Sequence, residues 1–148
     1  MSLKEQLLED MKVAMKEKDT IRKNAVQMTR AAILQVEKDK RITLDDDGII
    51  EIIAKEVKKR KDSLPDFEKA GRQDLIDDLN REIEILLQYL PKQLSEEELE
   101  VFVREAIKES GAASVKDMGK VMQAVMPKVK GKADGKMINQ IAKKILEA

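Results

Sequence analysis

Apolar and charged positions alternate along nearly the whole chain with a period between three and four. Leu3, Leu7, Met11 and Met15 step by four, and Ile21, Ala25, Met28, Ala32 and Val36 by three or four. Ile50, Ile53, Val57 and Leu64 keep the rhythm, with Lys61 interrupting it. Such spacing gathers the apolar residues on one side of an α-helix. Ile76, Leu79, Ile83, Leu87 and Leu90 make a fourth stripe that ends at Pro91, whose nitrogen has no hydrogen to donate and whose ring disfavours helical angles at Leu90. The breaks between stripes are short. Asp19-Thr20 offers a cap for the second helix, Thr43 with Asp46 resembles a capping box for the third, and Gly71 offers a stop. Pro65 predicts either a kink in the third helix or a stop with a restart at Ser63.

Past Pro91 the signals begin afresh. Ser95 with Glu98 forms a capping-box pattern for a helix that turns Leu99, Phe102, Val103, Ala106 and Ile107 inward and closes at Ser110-Gly111. Ser114 with Asp117 predicts another, with Met118, Val121, Met122, Val125, Met126 and Val129 inward and Gly131 as its end. Asp134 caps the last, which buries Ile138, Ile141, Ala142, Ile145 and Leu146. The expectation is an all-α protein: an N-terminal four-helix unit over residues 1–91, followed by a small C-terminal three-helix unit over residues 92–148, the latter near the lower size limit for independent folding.

Composition narrows the chemistry. The 148 residues include no histidine, cysteine or tryptophan, and the only aromatic side chains are Phe67, Tyr89 and Phe102. Cys/His zinc sites, disulfides, Ser-His-Asp and Cys-His nucleophile pairs and a histidine base are thereby excluded. No cofactor and no catalytic residue is predicted. Asp45-Asp46-Asp47-Gly48 lacks the alternating ligands of a calcium loop and reads as a complement to a helix dipole, not a metal site. Lys55, Lys58, Lys59, Arg60 and Lys61, with Glu51 and Glu56 as partners, read as a solvated helix face. Met118, Met122 and Met126 read as adaptable core filling. No apolar run approaches the roughly 20 residues of a membrane span, and Met1-Ser2-Leu3-Lys4-Glu5 starts no secretion signal, so a cytoplasmic protein without membrane contact is expected.

Charge is balanced overall, 29 basic against 29 acidic residues, but not locally. From Gly111 onward eight lysines face three acids, and four of those lysines crowd the string PKVKGKADGKMIN between Pro127 and Asn139. One reading makes this turn an anion site: Gly131 and Gly135 keep side chains away, the last helix offers free N–H groups, and Lys128, Lys130, Lys132 and Lys136 supply positive charge. The other makes Gly131 a helix C-cap, Asp134 an N-cap whose carboxylate already occupies those N–H groups, and the lysines dipole complements. The string is not a Walker A loop, since Ala133 follows Lys132 where Ser or Thr is required. With so few aromatic rings, stacking of single-stranded bases is excluded as the main mode, leaving lysine contacts to the backbone of folded RNA.

The segment Asp117-Met118-Gly119-Lys120-Val121-Met122, then PKVKGKADG and Ile138-Asn139, resembles the GatB/YqeY family, as do Lys59 to Ser63, Phe67 to Arg72 and Tyr89 to Ser95. The resemblance covers the whole chain. It implies that the C-terminal unit is similar to the tail of the B subunit of the glutamine-dependent aminoacyl-tRNA amidotransferase, a tail that contacts tRNA away from the chemistry. The resemblance matches Gly119, Val121, Met122, Lys130, Gly131, Lys132, Ala133 and Asn139 to positions of that tail, and the candidate nucleic-acid-binding residues are Lys120, Lys128, Lys130, Gly131, Lys132, Gly135, Lys136 and Asn139. The partner implied is tRNA or other folded RNA, or a protein of the tRNA aminoacylation and amidation machinery. The phosphorylating domain of the amidotransferase has no counterpart here, so a non-catalytic role is implied. Carbon–nitrogen ligase activity with glutamine as amido donor would fall to an accessory role at most. A protein–protein adaptor with no RNA is the alternative.

Overall fold

The computed structural model describes all 148 residues: seven α-helices, two single 3-10 turns and no strand. The chain divides into two compact units, Met1–Leu90 and Pro91–Ala148.

The first unit holds α1 (Leu3–Lys16), α2 (Thr20–Lys40), α3 (Asp46–Lys69) and α4 (Gln73–Leu87). α1 packs mainly on α2 and α3 on α4, while α2 also touches α3 and α4. Leu7, Val26, Ile33, Ile49, Ile53, Ile85 and Leu86 form the innermost core. Two predicted stripes are corrected. Met15 is exposed because residues four apart drift by about 40° per step around a helix and leave the apolar face, and Met28 is exposed because the buried face of α2 is rotated to one side of the predicted stripe. In α2 the buried stripe runs through Ala25, Val26, Thr29 and Ile33, and the Thr29 hydroxyl donates to the Ala25 carbonyl at 2.9 Å. In α4 the buried set is Ile83, Ile85 and Leu86, broader than one stripe because the helix meets both α2 and α3.

The caps follow the sequence with one exception. Asp19 caps α2 by accepting the Arg22 N–H. For α3 the cap is Asp45, in extended backbone, accepting the Gly48 N–H at 2.9 Å, not Thr43. Asp46 instead accepts the Leu3 N–H at the start of α1. The helix runs unbroken through Pro65 to Lys69: Leu64 packs on the core, and only one backbone donor is lost. Gly71, at φ +68°, follows its C-cap and passes the Arg72 N–H back to the Phe67 carbonyl. Glu37 fixes the α2–α3 link. One of its oxygens accepts Lys4 Nζ at 2.6 Å and the Leu44 N–H at 2.8 Å, beside Arg41 in the left-handed region. Those two bonds hold its carboxyl below the usual glutamate value.

The basic run on α3 is not wholly a solvated face. Arg60 and Glu56 are buried. Arg60 Nη1 donates to the Glu56 carbonyl at 2.9 Å and lies 3.5 Å from its carboxylate, and Nη2 lies 3.7 Å from Glu82 on α4. Arg60 Nε has no partner. Burial pushes the Glu82 carboxyl up, Arg60 opposes the rise and Asp78 adds to it. The folded state therefore takes up this proton more readily, and the contribution of Glu82 to stability grows as pH falls through its raised value. Arg60→Ala, by stranding two carboxylates between α3 and α4, is expected to cost about 3 kcal/mol, read from the urea midpoint of the full chain.

The second unit holds α5 (Glu96–Ser110), α6 (Met118–Val125) and α7 (Gly135–Glu147), with 3-10 turns at Val115–Asp117 and Met126–Lys128. Leu99, Val103, Ala106, Val121, Val125, Val129, Ile138, Ile141 and Ala142 form its core. Ser95 caps α5 by accepting the Glu98 N–H, and Gly111, at φ +70°, ends it. The predicted sixth helix is shorter than expected. Ser114 and Asp117 box in the 3-10 turn instead of α6, and Pro127 tightens the exit into a second 3-10 turn before Gly131. Met118 and Met122 pack against the core, but Met126 is exposed.

Candidate nucleic-acid interface

The turn between α6 and α7 is fixed by backbone, not by its lysines. Val129 is buried, Lys132 N–H donates to the Val129 carbonyl at 2.8 Å, and Gly131 takes φ +73°. The stretch before α5 clamps the turn from outside: the Gln93 side-chain amide donates to the Gly131 carbonyl at 2.7 Å, and the Leu94 N–H to the Lys132 carbonyl at 2.9 Å. Gln93 is uncharged, and no local pattern links it to a turn 38 residues further along the chain.

The start of α7 is capped by its own chain. Asp134 accepts the Lys136 N–H at 3.0 Å on its side chain and the Ile138 N–H at 3.1 Å on its carbonyl. The expected free N–H cradle is thus already served by a carboxylate, which also repels phosphate. Gly135 opens α7 with no neighbour within 4 Å of a notional Cβ, so nothing there needs the space a glycine leaves. Lys128 is held by Glu109 of α5, its ammonium 2.9 and 2.8 Å from the two carboxylate oxygens. Lys130 is exposed but likewise not free of a partner. Lys132 is half-buried. Lys120 is exposed near Asp117, whose carboxyl sits below its usual value chiefly through the Ala113 N–H, with the Ser114 N–H and Lys120 adding to it.

Lys136 and Asn139 are exposed on α7, where the structure adds residues outside the predicted set. Ile138, Ile141 and Ala142 face inward, which turns Lys136, Gln140 and Lys143 outward at spacings of four and three, flanked by Asn139 and Lys144. The three lysines of this helix make no ion pair, and its one carboxylate side chain, Glu147, closes it. The signal was present in the sequence as the complement of the apolar stripe. α5, by contrast, carries six glutamates against Arg104 and Lys108, so the unit is acidic on one helix and basic on another.

The Asp117 bonds tie its charge to local structure. A folded value below the unfolded one means that its stabilisation is present above the ordinary aspartate range and is lost as pH falls through the depressed value. Asp117→Asn is expected to remove that acid-side loss and to speed amide exchange at Ala113 and Ser114, followed by NMR between neutral and acid pH.

Residues 4–146 match the profile described as Yqey-like protein. Over 128 residues the chain is 28% identical to "Altered inheritance of mitochondria protein 41, mitochondrial" of Pyrenophora tritici-repentis, covering 84% of this chain and 69% of the relative. It is 37% identical over 84 residues to the protein of that name from Kluyveromyces lactis and 35% over 85 residues to that from Lachancea thermotolerans, spanning 45% and 46% of their lengths. These relatives are named as mitochondrial proteins, which overturns the expected cytoplasmic location. The expectation rested on residues 1–5 and on the lack of a long apolar run, neither of which reports a compartment. No helix is long and apolar enough to cross a membrane.

Proposed function

Because the chain belongs to the YqeY-like protein family, we propose that its C-terminal unit binds the phosphate backbone of folded RNA, tRNA in the first place, as the tail it resembles does. The supporting observation is the separation of charge within that unit. Eight lysines against three acids follow Gly111, and those on α7 are exposed without carboxylate partners. Ammonium groups so placed bind polyanions by releasing condensed counterions, without reading sequence. The aromatic side chain of this unit, Phe102, packs against the core, and no ring is presented for base stacking.

The binding is modest and salt-sensitive. With about four lysines each neutralising a phosphate, log K against log salt falls with a slope of roughly −3 to −4. Titrating the full chain into labelled tRNA at several salt concentrations tests this, and no binding at low salt defeats the proposal. Partners that survive ribonuclease treatment with no RNA recovered would instead mark a protein–protein adaptor. Glu109→Gln sharpens the test, because it releases Lys128 from its carboxylate. Affinity for tRNA is expected to rise several-fold, with the slope steeper by about 0.7 to 0.9.

A further inference from the structure

Which surface of the C-terminal unit meets the RNA follows from how α7 is anchored, given the reading that this unit binds RNA at all. Its apolar side is committed to the core through Ile138, Ile141 and Ala142. The opposite side is a straight polar ridge on which Lys136, Gln140 and Lys143 succeed one another. Seven residues of helix separate the two lysines by about 10 Å along the axis, and the amide of Gln140 lies between them. At the start of the helix the Asp134 carboxylate takes the Lys136 N–H and repels phosphate, so the positive charge of the ridge comes from its side chains. Lys128 is turned toward Glu109. What remains is a row of two mobile cations bracketing a group that both donates and accepts hydrogen bonds.

A ribose–phosphate chain offers the complement to that row: phosphate oxygens for the ammonium groups and, in RNA alone, a 2′-hydroxyl for the amide. We propose that the outer face of α7 docks along the backbone of a folded RNA, with Lys136 and Lys143 on phosphates and Gln140 on a ribose 2′-hydroxyl. An anionic membrane surface is the lesser match. A helix that binds a bilayer buries its apolar side in the lipid, and the apolar side of α7 is inside the protein.

Three variants of the full chain test the ridge: Lys136→Glu with Lys143→Glu; Gln140→Ala; and Lys92→Glu with Lys108→Glu, an equal charge change on exposed positions of the same unit outside α7. Anisotropy is read with tRNA, an RNA hairpin and its DNA counterpart, and cosedimentation with equimolar phosphatidylglycerol and phosphatidylcholine vesicles. The α7 reversal is expected to weaken tRNA binding at least tenfold and to flatten the salt slope by about 1.5, while the control reversal does less than half of either. Gln140→Ala is expected to narrow the preference for RNA over DNA with the salt slope unchanged. Equal losses in the α7 and control reversals would overturn the ridge while leaving RNA binding standing. An unchanged RNA preference in Gln140→Ala would overturn the ribose contact, and vesicle binding abolished by the α7 reversal with tRNA binding intact would make the face a lipid surface. A wild-type chain that binds no tRNA fails one step earlier, at the function itself.

Discussion

Burial of the α7 stripe in the small C-terminal core decides which cations of this protein are available to a ligand. Ile138, Ile141 and Ala142 cannot leave the core without exposing apolar surface that a unit of this size can ill spare, and their position fixes the opposite side of the helix in water. Lys136, Gln140 and Lys143 are therefore held in a row by packing they take no part in. The preceding turn contributes shape more than charge, because Gln93 and Leu94 clamp its carbonyls while Glu109 holds Lys128.

The same logic separates the two units. With three aromatic side chains in the whole protein, each core is assembled from many medium-sized aliphatic residues. In the N-terminal unit the packing leaves room for polar groups inside: Thr29 satisfies itself on its own helix, and Arg60 is buried with Glu56 and close to Glu82. Such an ion network is poor evidence of net stability, since desolvation offsets most of the attraction, but it is sensitive to loss of either sign of charge. In the C-terminal unit no ionisable side chain is buried, and charge is sorted between the outer faces of α5 and α7. The unit with the more apolar interior is the one whose surface carries the separated charge.

The helices, most of their caps and the apolar faces were legible in the sequence because they are local. Period, Ser or Asp at an N-cap and glycine after a C-cap act within a few residues. Thus Asp19, Ser95, Gly111 and Asp134 act as expected, and the GatB/YqeY resemblance seen in the residues agrees with family membership over residues 4–146. The exceptions arise where two local signals compete. Thr43 and Asp45 both suit a cap, and it is Asp45, in extended backbone next to the first turn, that accepts the Gly48 N–H. Pro127 and Gly131 both end a helix, and Pro127 acts first.

Tertiary structure alone decided which charges are paired, because that depends on residues far apart in the chain. Nothing around Arg60 marks it as buried among its exposed lysine neighbours until α4 brings Glu82 beside it. Nothing in PKVKGKADGKMIN says that Glu109, 19 residues before Lys128, takes that lysine out of the cluster. Coulomb attraction acts across space and sequence patterns report only neighbours along the chain. The sequence by itself therefore determined the helices and the total positive charge of the C-terminal unit, and the fold determined which of those charges remain facing water.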